Sequence, residues 1–148
     1  MPTVSLRYFT VYGPGQRPDM AFTRFIRAVR DDEEITVNGD GSQIRDFTYV
    51  DDVVRANIAA AFTPGLTPGR VFNVCGGSAV TLTAVLDTLR DIAGKPLRIT
   101  HTGEKAGDVF QTGGSSDAAR DALGWSPRTD LASGLRAQWQ ATNDELPV

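Results

Sequence analysis

Apolar side chains recur along this chain in short blocks whose spacing alternates between strand-like and helical. Thr3 to Phe9 is short, apolar and β-branched, which predicts a buried strand. Tyr12 to Asp19 follows, with enough glycine and proline for a loop. Phe22, Phe25, Ile26 and Val29 then mark one face of a helix, closed by an acidic run from Asp31 to Glu34 that the helix dipole disfavours. Ile35-Thr36-Val37 predicts a short strand and Asn38-Gly39-Asp40-Gly41 a turn. Arg45 to Tyr49 leads into a second helix, whose buried stripe is predicted as Val50, Val53, Val54, Ile58, Ala61 and Phe62. Pro64, Gly65, Pro68 and Gly69 break it, and Val71 to Val74 reads as a buried strand closed by Gly76-Gly77. A third helix carries Leu82, Val85, Leu86, Leu89 and Ile92 behind an N-cap at Thr81 and stops at Gly94 and Pro96. Leu97 to Thr100 predicts a strand, and His101 to Gly114 a polar loop. Two small helices close the chain, capped by Ser115 or Ser116 and by Asp130, the last striped by Leu131, Leu135 and Trp139. The pattern is mixed α/β with four or five helices.

Composition narrows the class. The 148 residues are 41% hydrophobic and 22% charged, with a formal net charge of −3, the balance of a globular domain. No apolar run is long enough to span a bilayer, and the first residues lack the basic start and apolar core of a signal peptide. The expected setting is therefore cytoplasmic. One cysteine, Cys75, excludes an internal disulfide, and one histidine, His101, leaves no Cys/His zinc site. The acidic total argues against nucleic acid or an anionic membrane as partner.

The usual catalytic sets are missing from these residues. The glycine pairs Gly13/Gly15, Gly39/Gly41, Gly76/Gly77 and Gly113/Gly114 fit neither G-x-G-x-x-G nor a P-loop, and read as turns. Tyr-x-x-x-Lys does not occur: four residues beyond Tyr8, Tyr12 and Tyr49 stand Tyr12, Gln16 and Val53. What remains is a scatter of loop cations, Arg17, Arg45 and Lys105, of the kind that converge on a diphosphate. Each also has a plain structural reading. Arg45 can pair locally with Asp46 or with Asp51/Asp52, Arg17 and Lys105 can be solvated surface charges, and Phe22 and Phe25 are most simply core.

The wording of the motifs adds a resemblance. Leu6-Arg7-Tyr8-Phe9-Thr10-Val11-Tyr12-Gly13-Pro14, Arg17-Pro18-Asp19-Met20-Ala21-Phe22 and the string from Gly39-Asp40-Gly41 through Arg45-Asp46-Phe47-Thr48-Tyr49-Val50 to Asp52 resemble the extended short-chain dehydrogenase/reductase family. The similarity is to its NAD-dependent nucleotide-sugar epimerases and dehydratases. Val71 to Gly77, Gly107-Asp108-Val109 and Leu123-Gly124-Trp125-Ser126-Pro127 agree in order and spacing, so the resemblance covers essentially the whole chain. Thr10 together with Arg17 to Phe22 is most similar to the UDP-glucuronate 4-epimerase type.

The resemblance implies an α/β fold: the C-terminal substrate-binding part of an extended Rossmann-type short-chain dehydrogenase/reductase, lacking the N-terminal NAD-binding half. Residues 1–12 would be the last strands of the Rossmann sheet with the active-site loop, and residues 13–148 mainly the substrate-binding subdomain. Arg45 and Lys105 would hold the nucleotide diphosphate, and Asp108 would accept the ribose hydroxyls. Tyr8 and Phe9 would lie under the nicotinamide of NAD. Thr10 would face the sugar or phosphate, with Arg17 among the cations that could meet a sugar carboxylate. Ala21 and Phe22 would contact the nucleotide through backbone and side chain, and Thr36 and Asn38 would flank the uracil. Some positions depart from the family pattern. Gly15 stands where arginine is usual, Lys105 offers a point charge instead of a fork, and Gly113-Gly114 replaces an alanine–aspartate pair. Asn38 replaces an aromatic beside the base, a loss of stacking worth ~1 kcal/mol.

In such a parent the Gly-rich loop and the Tyr-x-x-x-Lys pair lie N-terminal to the strand that Thr3 to Phe9 resembles. The tyrosinate takes the sugar 4-hydroxyl proton while the C4 hydride passes to NAD⁺, and the 4-keto sugar is then reduced on its other face. This chain would grip the UDP-sugar without turnover of its own, and would not bind NAD alone. A separately encoded N-terminal half and a homodimer are the expected polypeptide partners. The alternatives are part of an NDP-sugar 4,6-dehydratase or UDP-glucuronate decarboxylase and, from another class, a non-catalytic nucleotide-sugar-binding module or an inert remnant. Cut in this way, the sheet would expose an edge and an apolar face.

Overall fold

The computed structural model describes residues 3–77, 79–103, 107 and 109–144. In chain order the elements are β1 (Ser5–Tyr8), β2 (Thr10–Tyr12), α1 (Ala21–Arg30), β3 (Ile35–Asn38), β4 (Ile44–Tyr49), α2 (Val50–Phe62) and β5 (Val71–Val74), then β6 (Ala79–Thr81), α3 (Leu82–Ala93), β7 (Ile99–Thr102), α4 (Asp117–Leu123) and α5 (Leu131–Asp144). The strands form three small sheets. β1 runs parallel to β5, with Leu6 opposite Phe72. β4 is central to the second sheet, parallel to β2 and antiparallel to β6. β3 and β7 pair in parallel, with Ile35 opposite Ile99.

The strand predicted at Thr3 to Phe9 is β1, but it is not buried: Leu6 is half-buried and Ser5, Arg7 and Tyr8 are exposed. The chain breaks at Phe9, so β1 joins one sheet and β2 another, and each covers a different core. Arg45 to Tyr49 is itself a strand and not merely a lead-in to a helix, because β2 and β6 supply ladder partners on both its edges. The strand predicted at Leu97 to Thr100 sits two residues later, in register with β3.

The larger core lies between α1, α3 and α5 and the strands β2, β3 and β4. Phe22, Phe25, Ile26 and Val29 of α1 are all buried in it, as their spacing predicts. Tyr12 is at its centre, with ring centroids 5.2 Å from Phe22, 6.3 Å from Phe47 and 5.6 Å from Tyr49, all edge-on. Such pairs add roughly 0.5–1.5 kcal/mol each beyond the area they bury. The ring fits because α5 carries Gly134 there: a Cβ would stand 2.4 Å from the Tyr12 hydroxyl. That hydroxyl donates to the Asp130 carbonyl at 3.3 Å.

The second core joins α2 and α4 to the β1–β5 sheet through Val53, Ala56, Phe72, Val74, Ala119, Leu123 and Trp125. Asp52, in the first turn of α2, ties the two halves together. Its carboxylate pairs with Arg55 and accepts the Arg128 and Thr129 amides at 3.1 Å, while its carbonyl accepts the Trp125 indole N–H at 2.9 Å. The helix ends follow elementary capping rules. Thr81 Oγ1 accepts the Ala84 amide at 3.1 Å, and Gly94 ends α3 in the left-handed region. Asp130 accepts the Ser133 amide at 2.9 Å. At α4 it is Ser115 Oγ, not Ser116, that takes a backbone N–H, that of Asp117.

The predicted stripe of α2 is only partly correct. Val53 is buried and Val50 half-buried, but Val54, Ile58 and Phe62 are 49%, 54% and 81% exposed, and Ala61 is exposed as well. The helix is apolar around more of its circumference than the β1–β5 sheet can cover. β1 also has a strand on one edge only among the described residues. A free parallel edge beside an uncovered apolar helix favours association. Light scattering behind size exclusion is expected to show the isolated chain above monomer mass, and the double substitution Ile58→Lys with Phe62→Lys to shift it toward monomer. A sharp wild-type monomer peak contradicts this.

Candidate functional site

The described residues singled out by sequence are spread over three sheets and the start of α1, and only some of them come together. Phe9, Thr10 and Arg17 come together on one open cavity of about 370 Å³, which runs along residues 9–17 and is closed by Met20 and Val50. β2 positions Thr10 by its parallel ladder to Phe47 of β4. Beyond Tyr12 the chain turns at Gly13, whose φ of 136° few L side chains adopt and whose Cβ would meet Val50 at 2.7 Å. Arg17 lies on the rim, highly exposed, with Nη2 donating to Asp19 at 3.1 Å. A pair this exposed adds little stability and leaves the guanidinium in water, where it can meet an anion.

Arg45 stands two positions before Phe47 on β4. Strand alternation sends its side chain to the face opposite that of its neighbour Asp46. It is half-buried, and Nη1 donates to the Ile44 carbonyl at 2.9 Å and to the Phe110 carbonyl at 3.1 Å. The segment from Phe110 to Thr112 is held along β4 by two backbone bonds with Ile44, at 2.8 and 3.0 Å. Arg45 is thus anchored beside the loop that carries Gly107. Lys105 and Asp108 of that loop lie outside the described residues.

Of the carboxylates that could serve Arg45 locally, Asp52 is engaged by Arg55. Asp46 accepts the Gly76 amide at 2.6 Å. Burial pushes the Asp46 carboxyl above the ordinary carboxylate range, against the Gly76 and Gly77 amides that hold it down. The Gly76 turn that it serves is packed hard against β4, since a Cβ there would stand 2.0 Å from the Phe47 carbonyl. That turn leads into β6, and on its open side Gly77 lines a cavity of about 540 Å³ with Asp46, Ala79, Gln111, Gly113 and Gly114.

Thr36 and Asn38 occupy β3, beyond the turn that feeds β4. Thr36 is exposed and lines a separate cavity of about 260 Å³ together with Pro18, Arg24 and Glu34. Asn38 Oδ1 accepts the Thr102 hydroxyl at 3.2 Å, and the Asn38 carbonyl accepts Gln43 Nε2 at 3.0 Å. Ala21, the first residue of α1, is exposed. Phe22 is a correction. Its ring is 1% exposed and lies 4.5 Å from the Phe47 ring, so the side-chain contact to a nucleotide is not available and only backbone remains. Tyr8, at the end of β1, donates its hydroxyl to Asn57 Oδ1 at 2.8 Å. Phe9 is packed over Gly114, where a Cβ would stand 2.5 Å from Cζ. The glycine at that departure from the family pattern leaves the Phe9 ring its place.

One buried polar group has no forerunner in the sequence reading. Gln138 of α5 is 1% exposed, and its Oε1 accepts the Gly13 amide at 3.0 Å. Its Nε2 donates to Gln16 Oε1 at 3.0 Å and to Thr23 Oγ1 at 3.2 Å. The signal available was a polar residue three beyond Leu135, on the apolar face of the last helix. Among the described residues no group of three or more His, Cys, Asp or Glu could hold a metal ion, and no helix is long and apolar enough to cross a membrane.

Comparison with known proteins bears on the family and the fold. Residues 1–75 match the model of the NAD dependent epimerase/dehydratase family. The chain is 35% identical over 144 residues to a UDP-glucuronate 4-epimerase of Thermodesulfobacterium geofontis, covering 95% of this chain and 44% of that protein. It is 38% identical to an uncharacterized UDP-glucose epimerase of Bacillus subtilis, covering 91% of this chain and 42% of that one. Among solved structures it superposes on the UDP-glucuronic acid 4-epimerase of Bacillus cereus in complex with UDP-glucuronic acid and NAD, with a TM-score of 0.93 and 39% identity over 97% of this chain and 46% of that chain. The chain thus spans less than half the length of these relatives.

Asp46 generates a pH-dependent expectation. Because its folded pKa is raised, its effect on stability is most favourable at acid pH and is lost as pH rises through that value. Asp46→Asn keeps an oxygen for the Gly76 amide and removes the buried charge. Denaturant unfolding is expected to show the variant more stable than wild type at pH 7, with the difference gone near about pH 3, where the carboxyl is neutral in both states. An equal difference at both pH values contradicts the assignment.

Proposed function

The chain belongs to the NAD dependent epimerase/dehydratase family, and on that premise we propose that it is the nucleotide-sugar-binding part of a UDP-sugar 4-epimerase, of the UDP-glucuronate kind. The observation that carries this reading is the match to an enzyme complexed with UDP-glucuronic acid and NAD, at 39% identity over 97% of this chain. Arg45, anchored at two carbonyls, takes the diphosphate, assisted by Lys105, while Asp108 receives the ribose hydroxyls. Thr10 and Arg17 meet the sugar and its carboxylate in the cavity along residues 9–17. The Ala21 backbone, Thr36 and Asn38 serve the nucleotide's base end.

NAD in this reading is held by a cofactor-binding half, which brings the Gly-rich loop and the acid–base pair. Tyr8 and Phe9 are the residues of this chain nearest in role to the nicotinamide. The docking surface for that half is the free edge of β1 with the exposed Val54–Ile58–Phe62 face of α2. β1, α2 and β5 form a crossover with α2 on one face of the sheet. A further parallel strand beside β1, joined to it by another right-handed crossover, places its helix on that same face, next to α2. The match takes up only 42% and 44% of two relatives' lengths, which leaves room for such a unit in them. Without it, self-association through the same surface is the dimer expected from the sequence. The cytoplasmic setting belongs to the same proposal.

Titration calorimetry tests the reading. The isolated chain is expected to bind UDP and UDP-glucuronate, Arg45→Ala to weaken both by about tenfold or more, and the chain with NAD⁺ and UDP-glucuronate to show no turnover. Turnover by the isolated chain, or binding indifferent to Arg45→Ala, contradicts it.

A further inference from the structure

The cavity along residues 9–17 is built on a loop with little packing of its own. Gly15 has nothing within 4 Å of where a Cβ would stand, and the Arg17 side chain is 74% exposed. Within the loop, a single turn links the Gln16 amide to the Gly13 carbonyl at 3.1 Å. The Gly13 amide, at the sharpest bend, is satisfied from 125 residues away by Gln138 Oε1. The other end of the same amide group reaches Gln16 Oε1 and Thr23 Oγ1. Gln16 in turn donates Nε2 to the Val11 carbonyl at 3.0 Å and accepts the Thr23 amide at 3.1 Å. Thr23 Oγ1 has one proton, which it directs to the Gln16 carbonyl or Oε1, and its lone pair receives Gln138. Gln138 and Thr23 are 1% and 3% exposed, so water does not replace these bonds when one is lost.

We propose that Gln138 is a positioning residue for sugar recognition: it fixes the loop from Gly13 to Arg17 from α5 and so sets how well the cavity discriminates a UDP-sugar from UDP itself. A purely structural glutamine would support both ligands equally. Gln138 holds only the side of the site formed by residues 13–17, whereas Arg45 is anchored independently on β4. Its loss therefore falls on the sugar. The inference rests on the reading given under Proposed function for which ligand occupies the cavity, but the loop anchor is measurable without any ligand.

The experiment pairs amide hydrogen exchange with calorimetry, on wild type, Gln138→Leu and Thr23→Val. In wild type the Gly13 amide is expected to be protected. Gln138→Leu is expected to raise its exchange rate about tenfold or more, with the mid-helix amides of α1 and α3 unchanged. UDP-glucuronate affinity should fall about tenfold while UDP affinity stays within about twofold. Thr23→Val, which removes one acceptor of the Gln138 amide without adding volume, should act in the same direction by about threefold. Equal losses for both ligands, or unchanged Gly13 exchange in Gln138→Leu, overturn the proposal. If wild type binds neither ligand, the functional reading fails, and the Gly13 exchange rates in the two variants still decide whether Gln138 anchors the loop. Should Gln138→Leu not fold, Thr23→Val decides alone by the same two readouts.

Discussion

The burial of Tyr12 is the constraint on which most of this structure depends. A tyrosine 2% exposed needs apolar walls on every side of its ring and a partner for its hydroxyl. Phe22, Phe47 and Tyr49 supply the walls, Asp130 the acceptor, and Gly134 the notch. Those contacts bring α1, β4 and α5 onto the end of β2. The chain leaves that anchor directly into the cavity loop, so the core and the candidate site share a residue boundary at Tyr12–Gly13. Burial, with the nearby Asp130 and Asp52 charges adding to it, raises the Tyr12 pKa well above its ordinary value. The phenol stays protonated and structural. Among the described residues no lysine of the kind that makes a tyrosine a catalytic base is bonded to it.

The two cores divide the labour. The larger one fixes β2, β3 and β4, and with them Thr10, Thr36, Asn38 and Arg45. The smaller one fixes β1 and β5 and leaves an edge and a helix face uncovered. On the proposed reading, the ligand contacts stand on the half with the larger core, and the docking contacts on the half that leaves β1 and α2 uncovered.

Much of this was legible in the sequence where a local rule decides. The α1 stripe, the Thr81 cap, the Gly94 stop and the strand at Val71 to Val74 all follow from spacing and end chemistry. The misreadings occur where distant pieces decide. Arg45 to Tyr49 is a strand because β2 and β6 flank it, and no pattern within six residues states that. Val54, Ile58 and Phe62 are apolar yet exposed, because the sheet beneath α2 has only two strands among the described residues. Motif wording singled out Arg45, Thr10 and Phe22 alike, and it could not show that Phe22 is turned into the core. Gln138 was invisible for the same reason: its partners at Gly13, Gln16 and Thr23 lie more than a hundred residues away.

The central claim is that one continuous surface, from the loop after β2 to Arg45 on β4, receives a nucleotide sugar. The most direct measurement is a set of amide and arginine side-chain NMR shifts as UDP-glucuronate is added to the isotopically labelled chain. The account predicts that the largest changes fall on residues 10–17, on the Arg45 guanidinium and on the segment from Phe110 to Thr112, with α4 unmoved. Shifts confined to the Leu86–Arg90–His101 side of α3 and β7, or none at saturating ligand, would contradict it.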